Sequence, residues 1–218
     1  MKRLKGKWLI VPNYPSLRRM GDQQRTDWKP GENLKLLYQG HIGDDHGLEE
    51  IIAFVKTDSS LQLTIVGPGN SDFVQELRNR IVKLGIMERA AVLDPVPYNE
   101  LPNITKTHHV GLAVHEPVNI AFRTAALASN KIYEYAASGL PVIYYKDEHY
   151  MRYLGKYNWC FPTNLSEQDL SGIIQEIKAN FSSLSQLAQS GFQAMLNSGA
   201  VFHPVLAHIS GFSASVNL

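Results

Sequence analysis

Short apolar runs alternate with amphipathic stretches from residue 34 to about residue 197, and this alternation restricts the possible folds more than any other feature of the chain. Runs at Leu34–Gln39, Leu61–Val66, Ala90–Val96, Val110–Val114, Leu140–Tyr145 and Trp159–Phe161 read as strands, several of them ending in glycine-containing turns. Between them, Gly47–Lys56 sets Leu48, Ile51, Ile52 and Val55 at helical spacing. Asp72–Leu84 repeats the period through Phe73, Leu77, Ile81 and Leu84. Further helices are expected at Glu100–Thr107, Asn130–Ser138, His149–Lys156, Ser166–Phe181 and Ser183–Asn197, with residues 115–128 as a loop. Strands alternating with helices build βαβ units on a parallel sheet. The expected fold class is therefore α/β, a doubly wound, Rossmann-like parallel sheet of about six strands in the order 3-2-1-4-5-6. Ligands of such sheets sit beyond the carboxyl ends of the strands, where the order reverses between strands 1 and 4. That rule singles out Gly40–Gly47 and the segment 115–130.

The domain division expected is a leader or linker over residues 1–33, punctuated by Pro12, Pro15, Gly21, Pro30 and Gly31, a Rossmann-like domain over 34–200, and a tail over 201–218. The chain has 218 residues, 44% of them hydrophobic, which is enough for a sizeable core. With 21 Lys+Arg against 20 Asp+Glu, it lacks the electrostatic footprint of a nucleic-acid binder. Cys160 is the only cysteine, so no internal disulfide is possible and a reducing compartment is expected. The apolar run Trp8–Val11 is shorter than the roughly 7–15 residues of a signal peptide core or the ~20 of a spanning helix. A cytoplasmic location is expected.

The loop after the first strand, Gly40-His41-Ile42-Gly43-Asp44-Asp45-His46-Gly47, opens directly onto a helix. Glycines permit close backbone approach, and a helix N-terminus offers free N–H groups to a phosphate. A tight βα turn accounts for the glycines equally well. Gly67-Pro68-Gly69-Asn70 repeats the arrangement after the second strand, where a plain turn is the simpler reading. The most informative stretch is Ser129-Asn130-Lys131-Ile132-Tyr133-Glu134-Tyr135-Ala136-Ala137-Ser138-Gly139-Leu140-Pro141-Val142-Ile143. Ser129 or Asn130 can cap its helix, Lys131 lies in the first turn, and Glu134 stands one turn on, near the face of Asn130. A carboxylate placed there can accept both hydroxyl protons of a ribose. His108, His109 and His115 are weak as metal ligands, because neighbours on a strand point to opposite faces. The aromatic run from Tyr144 to Trp159 reads as core and rim packing.

Asn130–Ile143 resembles the nucleotide-sugar motif N-K-aromatic-E-Y-x-A-x-G-x-P-V-I of the retaining GT-B glycosyltransferases of family 4, also called group 1. The turn Val66–Gly69, the segment Val96–Pro102 and the strand Val110–Leu112 stand in the matching order, so the resemblance spans roughly residues 8–195. It implies one half of a GT-B fold, a UDP- or GDP-sugar as donor, no cofactor and no DxD-bound metal. It further implies that Glu134 binds the ribose and that the backbone of Asn130–Ile132, with Lys131, faces the diphosphate or sugar. Gly40 would line the diphosphate, and the turn Val96–Tyr98 would border the base.

Three positions depart from the family pattern: the usual basic pair is replaced by His41 and His46, and the glutamate expected eight residues before Glu134 is Ala126. Protonated histidines would restore the charge, and sugar recognition would pass to Glu116 or Arg123. A GT-B enzyme has about twice this length, and Val11-Pro12-Asn13 resembles its interdomain linker. The chain is thus expected to be a donor-binding half, inactive alone. The acceptor, a glycan or lipid-linked molecule, would bind the other half, and the parent would sit peripherally at a membrane face. The alternative is a non-catalytic nucleotide-binding or partner-docking domain descended from such an enzyme. A third reading, an NAD-dependent Rossmann enzyme, is opposed by the absence of GxGxxG.

Overall fold

A computed structural model describes residues 11–20 and 27–216, with the side chains of residues 19, 121 and 208–216 left aside. Six strands form one all-parallel sheet: β1 (Leu34–Gln39), β2 (Leu61–Val66), β3 (Ala90–Leu93), β4 (Val110–Ala113), β5 (Val142–Tyr145) and β6 (Cys160–Thr163). Their order is β3-β2-β1-β4-β5-β6, the doubly wound order expected from the alternation. The helices are α1 (Leu17–Met20), α2 (Leu48–Thr57), α3 (Ser71–Lys83), α4 (Leu101–Thr105), α5 (Ile120–Arg123), α6 (Ala125–Ala128), α7 (Asn130–Ala137), α8 (Glu148–Leu154), α9 (Glu167–Ala194) and α10 (Ser198–Val216). No helix among the described residues is long and apolar enough to cross a membrane.

Covered on both faces by helices, the central strands read as apolar runs. Leu34, Leu36, Leu37 and Tyr38 of β1 and Val110, Leu112 and Ala113 of β4 are all buried. Side-chain caps open two of the long helices. The Asn70 side chain accepts from the N–H groups of Asp72 and Phe73, and Ser166 accepts from the N–H of Asp169.

Two segments, residues 115–128 and the leader, differ from their expected form. Residues 115–128 hold two single-turn helices, α5 and α6, which are too short to show a period. The pair of helices expected over 166–197 is present as the two halves of α9, which meet at a kink where Asn180 has non-helical φ/ψ. The described part of the leader packs on the domain. The Tyr14 ring lies 4.1 Å from that of Tyr133, Trp28 meets Phe181 edge-on, and Met20 is buried. Asn13 docks there too, its backbone N–H donating to Leu127 O and its side-chain amide to Ala128 O. Beyond residue 200 the chain continues as α10.

The sheet opens where the site lies. β1 and β4 pair only at Leu36–Val110 and Leu37–Gly111, although both strands run further. Their carboxyl ends therefore splay, and the Tyr135 hydroxyl of α7 bridges the gap. It accepts from the Gln39 N–H at 2.9 Å and donates to Leu112 O at 3.3 Å. The Tyr135 ring reaches that point across Gly111, where a Cβ would stand 2.2 Å from the ring.

Candidate functional site

The splayed ends of β1 and β4 lead to the first turn of α7. Ser129 takes the N-cap position, but its side chain makes no capping bond, so the first-turn N–H groups have no side-chain cap. Within the same helix Ile132 is fully buried. Its side chain is core, and only its backbone can face a ligand.

Glu134 is buried at 4% exposure, yet both carboxylate oxygens have named donors. Gln39 Nε2 donates to Oε2 at 2.7 Å, and the Tyr98 hydroxyl donates to Oε1 at 2.9 Å. Gln39 is fixed in turn by Thr105, whose hydroxyl donates to Gln39 Oε1 at 2.7 Å. Asn130, one helical turn before Glu134, donates from Nδ2 to the Tyr98 hydroxyl at 3.1 Å. A buried carboxylate held by neutral donors, with a half-exposed tyrosine on one side, is a prepared acceptor for hydroxyl groups.

Lys131 lies on the neighbouring face. Its Nζ donates to the Tyr38 hydroxyl at 3.2 Å and sits 4.3 Å from the Tyr38 ring centroid. Burial lowers its pKa to about 8, while the Glu134 carboxylate acts in the opposite direction. At neutral pH it is predominantly protonated. The absence of a side chain at Gly40 makes room for it, since a Cβ there would stand 3.1 Å from both Cε and Nζ of Lys131.

Beside Lys131 lies a cavity of about 280 Å³ lined by His41, His46, His115, Phe122, Ala125, Ala128, Ser129 and Lys131. The expectation of a protonated His46 fails here. His46 is buried, and its Nδ1 accepts the Gly43 N–H at 2.7 Å. Burial, then Lys131 and His41, lower its pKa to about 4. It is a neutral brace for the loop after β1. His115 is buried against the rings of His46, Phe122 and Tyr150, and its pKa falls further for the same leading reason. His41 is exposed, and its carbonyl accepts from the Tyr38 hydroxyl.

The remaining expected residues are placed unevenly. Val96 is half-buried against the core, and Tyr98 is the Glu134 partner already described. Glu116 and Arg123 are exposed and do not line the cavity. The Glu116 carboxylate meets the Tyr145 hydroxyl, and Arg123 Nε donates to Pro117 O. The cavity wall from that region is supplied by His115, Phe122 and Ala125 instead. Sequence reasoning also missed Gln39 and Thr105. A buried glutamine closing an apolar central strand was the available signal. Among the described residues no group of three or more His, Cys, Asp or Glu could hold a metal ion.

The family model described as "Glycosyl transferases group 1" matches residues 22–193. Among solved structures, Anabaena Alr3699/HepE in complex with UDP and glucose is similar with a TM-score of 0.67 and 17% identity, over 82% of this chain and 48% of that one. WaaG, a glycosyltransferase involved in lipopolysaccharide biosynthesis, gives a TM-score of 0.67 and 14% identity over 93% of this chain and 56% of WaaG. The C-terminal domain of the group 1 protein LpcC from Francisella tularensis gives 0.56 and 15%, covering 83% of this chain and 92% of that domain. At these identities the likeness shows the fold. The chain spans about half the length of HepE and WaaG. A comparison with curated protein sequences finds no match.

Proposed function

Because the chain belongs to the glycosyl transferases group 1 family, we propose that it is the nucleotide-sugar-binding half of a retaining glycosyltransferase. The donor is a UDP- or GDP-hexose, and the acceptor is a glycan or a lipid-linked molecule held by an N-terminal domain of the whole protein. The observation that carries this reading is Glu134, a buried carboxylate at the carboxyl end of β1, prepared by Gln39 and Tyr98 to receive hydroxyl groups. In this reading Glu134 accepts from the ribose, and the diphosphate meets Lys131 and the uncapped first turn of α7. The hexose enters the cavity beside them, and the base lies near Val96 and Tyr98. Lys131 and the helix N–H groups stabilise the charge that develops on the leaving diphosphate, a preorganised electrostatic contribution to catalysis. UDP and glucose bound to HepE support uridine over guanosine. The coverage of the isolated LpcC domain supports reading the chain as the donor-binding half.

A second reading, a non-catalytic nucleotide-binding module, draws support from His46. A neutral imidazole replaces a cation usual in the family and leaves Lys131 to meet a diphosphate with less help.

Thermal unfolding in the presence of UDP, GDP, ADP or NAD tests the proposal. A nucleotide at about 100 times its dissociation constant stabilises by roughly 2.7 kcal/mol. That raises the midpoint of a chain this size by about 5–10 °C. A shift with UDP or GDP that is absent in Glu134→Ala supports the donor site and names the base. A shift with NAD alone, or one that survives Glu134→Ala, refutes it.

A further inference from the structure

We propose that the Tyr98 hydroxyl occupies the place of a donor ribose hydroxyl and must be displaced for the nucleotide to bind, so that Tyr98 is a built-in competitor setting donor affinity. The inference rests on the reading of Glu134 as the ribose acceptor.

The hydrogen-bond pattern carries it. The Tyr98 O–H donates to Glu134 Oε1 at 2.9 Å and accepts from Asn130 Nδ2 at 3.1 Å. A ribose hydroxyl has the same capability, one proton to give and lone pairs to receive. Asn130 and Glu134 lie one turn apart on α7, so the pair forms a fixed cradle for a single hydroxyl oxygen. That cradle is filled by a group of the chain itself.

Only one side of Glu134 can open. Oε2 is held by Gln39, a fully buried residue of a central strand that is itself fixed by Thr105 and by the Tyr135 hydroxyl. Tyr98 is 50% exposed and belongs to the irregular segment between β3 and α4. Its side chain can turn outward without breaking the sheet or the core. An incoming ribose therefore exchanges one charge-assisted hydrogen bond for another rather than gaining a new one. The net affinity drawn from Glu134 is reduced by what the Tyr98 contact contributed.

Removing the hydroxyl removes the competitor. A hydrogen bond to a charged group, largely exposed to water on one side, corresponds to about a tenfold change in affinity. Tyr98→Phe is expected to bind UDP or GDP about tenfold more tightly than the wild type. The 2′,3′-dideoxy form of the same nucleotide has no hydroxyl to place in the cradle, so its affinity is expected to be the same in both proteins.

The test is equilibrium titration of wild type, Tyr98→Phe and Glu134→Gln with UDP and GDP, each beside its 2′,3′-dideoxy form. Tighter binding of the parent nucleotide alone in Tyr98→Phe supports the proposal. Unchanged or weaker binding overturns it and shows Tyr98 to be neutral or a direct donor contact. Equal tightening of both nucleotide forms also overturns it, since the effect would then be a general loosening of the loop. If Glu134→Gln leaves the wild-type affinity intact, the ribose assignment of Glu134 fails and the proposal fails with it. Weakening by Glu134→Gln without a gain in Tyr98→Phe removes the competitor role alone.

Discussion

Three buried histidines should make this domain sensitive to mild acid. His46 and His109 have pKa values lowered to about 4, and His115 lower still, with burial the largest cause in each. Two of them also use the neutral ring as an acceptor. His46 Nδ1 receives the Gly43 N–H, and His109 Nδ1 receives the Lys35 N–H at 3.0 Å. In the unfolded chain these groups take up protons near pH 6.5. A folded pKa below the unfolded one means stability that is present above about pH 6.5 and lost as pH falls toward the folded value. Between pH 7 and pH 5 the loss is about 2 kcal/mol for each histidine, or about 5–6 kcal/mol for three. Against a total stability of about 5–15 kcal/mol, that is a large fraction. His108, also buried and lowered, acts in the same direction. Urea unfolding at pH 7, 6 and 5 measures the effect. His115→Phe is the informative variant, because His115 Nδ1 has no hydrogen-bond partner and the ring already sits among Phe122 and Tyr150. It should retain wild-type stability at pH 7 and reduce the pH slope between pH 7 and pH 5 by about 1 kcal/mol per unit. A stability that is flat from pH 7 to pH 5, or an unchanged slope in His115→Phe, would refute the reasoning.

Other consequences are equally open to measurement. Diphosphate affinity should fall as pH rises through about 8, where Lys131 loses its proton, and Lys131→Met should bind weakly with no such dependence; titrations at pH 7 and 9 decide. Between pH 8 and pH 6 affinity should not climb through His46, whose pKa of about 4 keeps it neutral across that range. Glu134→Ala should lose stability as well as binding, by about 1–3 kcal/mol, because Gln39 Nε2 is left buried without its acceptor; chemical denaturation measures it. Gly111→Ala should destabilise by several kcal/mol, since the new methyl group would overlap the Tyr135 ring that joins β1 to β4; thermal unfolding would show it.

The sheet was legible because each strand is short, apolar and bounded by turn residues, and because doubly wound sheets admit few orders. The N-K-x-x-E motif was legible through the resemblance of Asn130–Ile143 to the family's nucleotide-sugar segment, and helical spacing sets Asn130 and Glu134 near one face. What escaped was whatever depends on packing between distant segments. His46 and its neighbour His41 differ in no way that a sequence displays, yet one is buried under His115 and Phe122 and the other is exposed. Gln39 and Thr105 lie 66 residues apart, and their role emerges only when the fold joins them by a hydrogen bond and sets Gln39 against Glu134. Glu116 and Arg123 are the acidic and basic residues of their segment, but the segment turns His115 and Phe122 inward instead. The segment around Tyr14 carries proline signals typical of a linker, while its contacts with Tyr133 and Leu127 come from the tertiary fold.

The most direct test of the donor-binding account is a crystal structure of the chain with UDP. The account predicts the ribose hydroxyls within hydrogen-bond distance of Glu134, the diphosphate against Lys131 and the first turn of α7, and the Tyr98 hydroxyl moved away from Oε1. A nucleotide bound elsewhere, with the Tyr98–Glu134 contact intact, would contradict it.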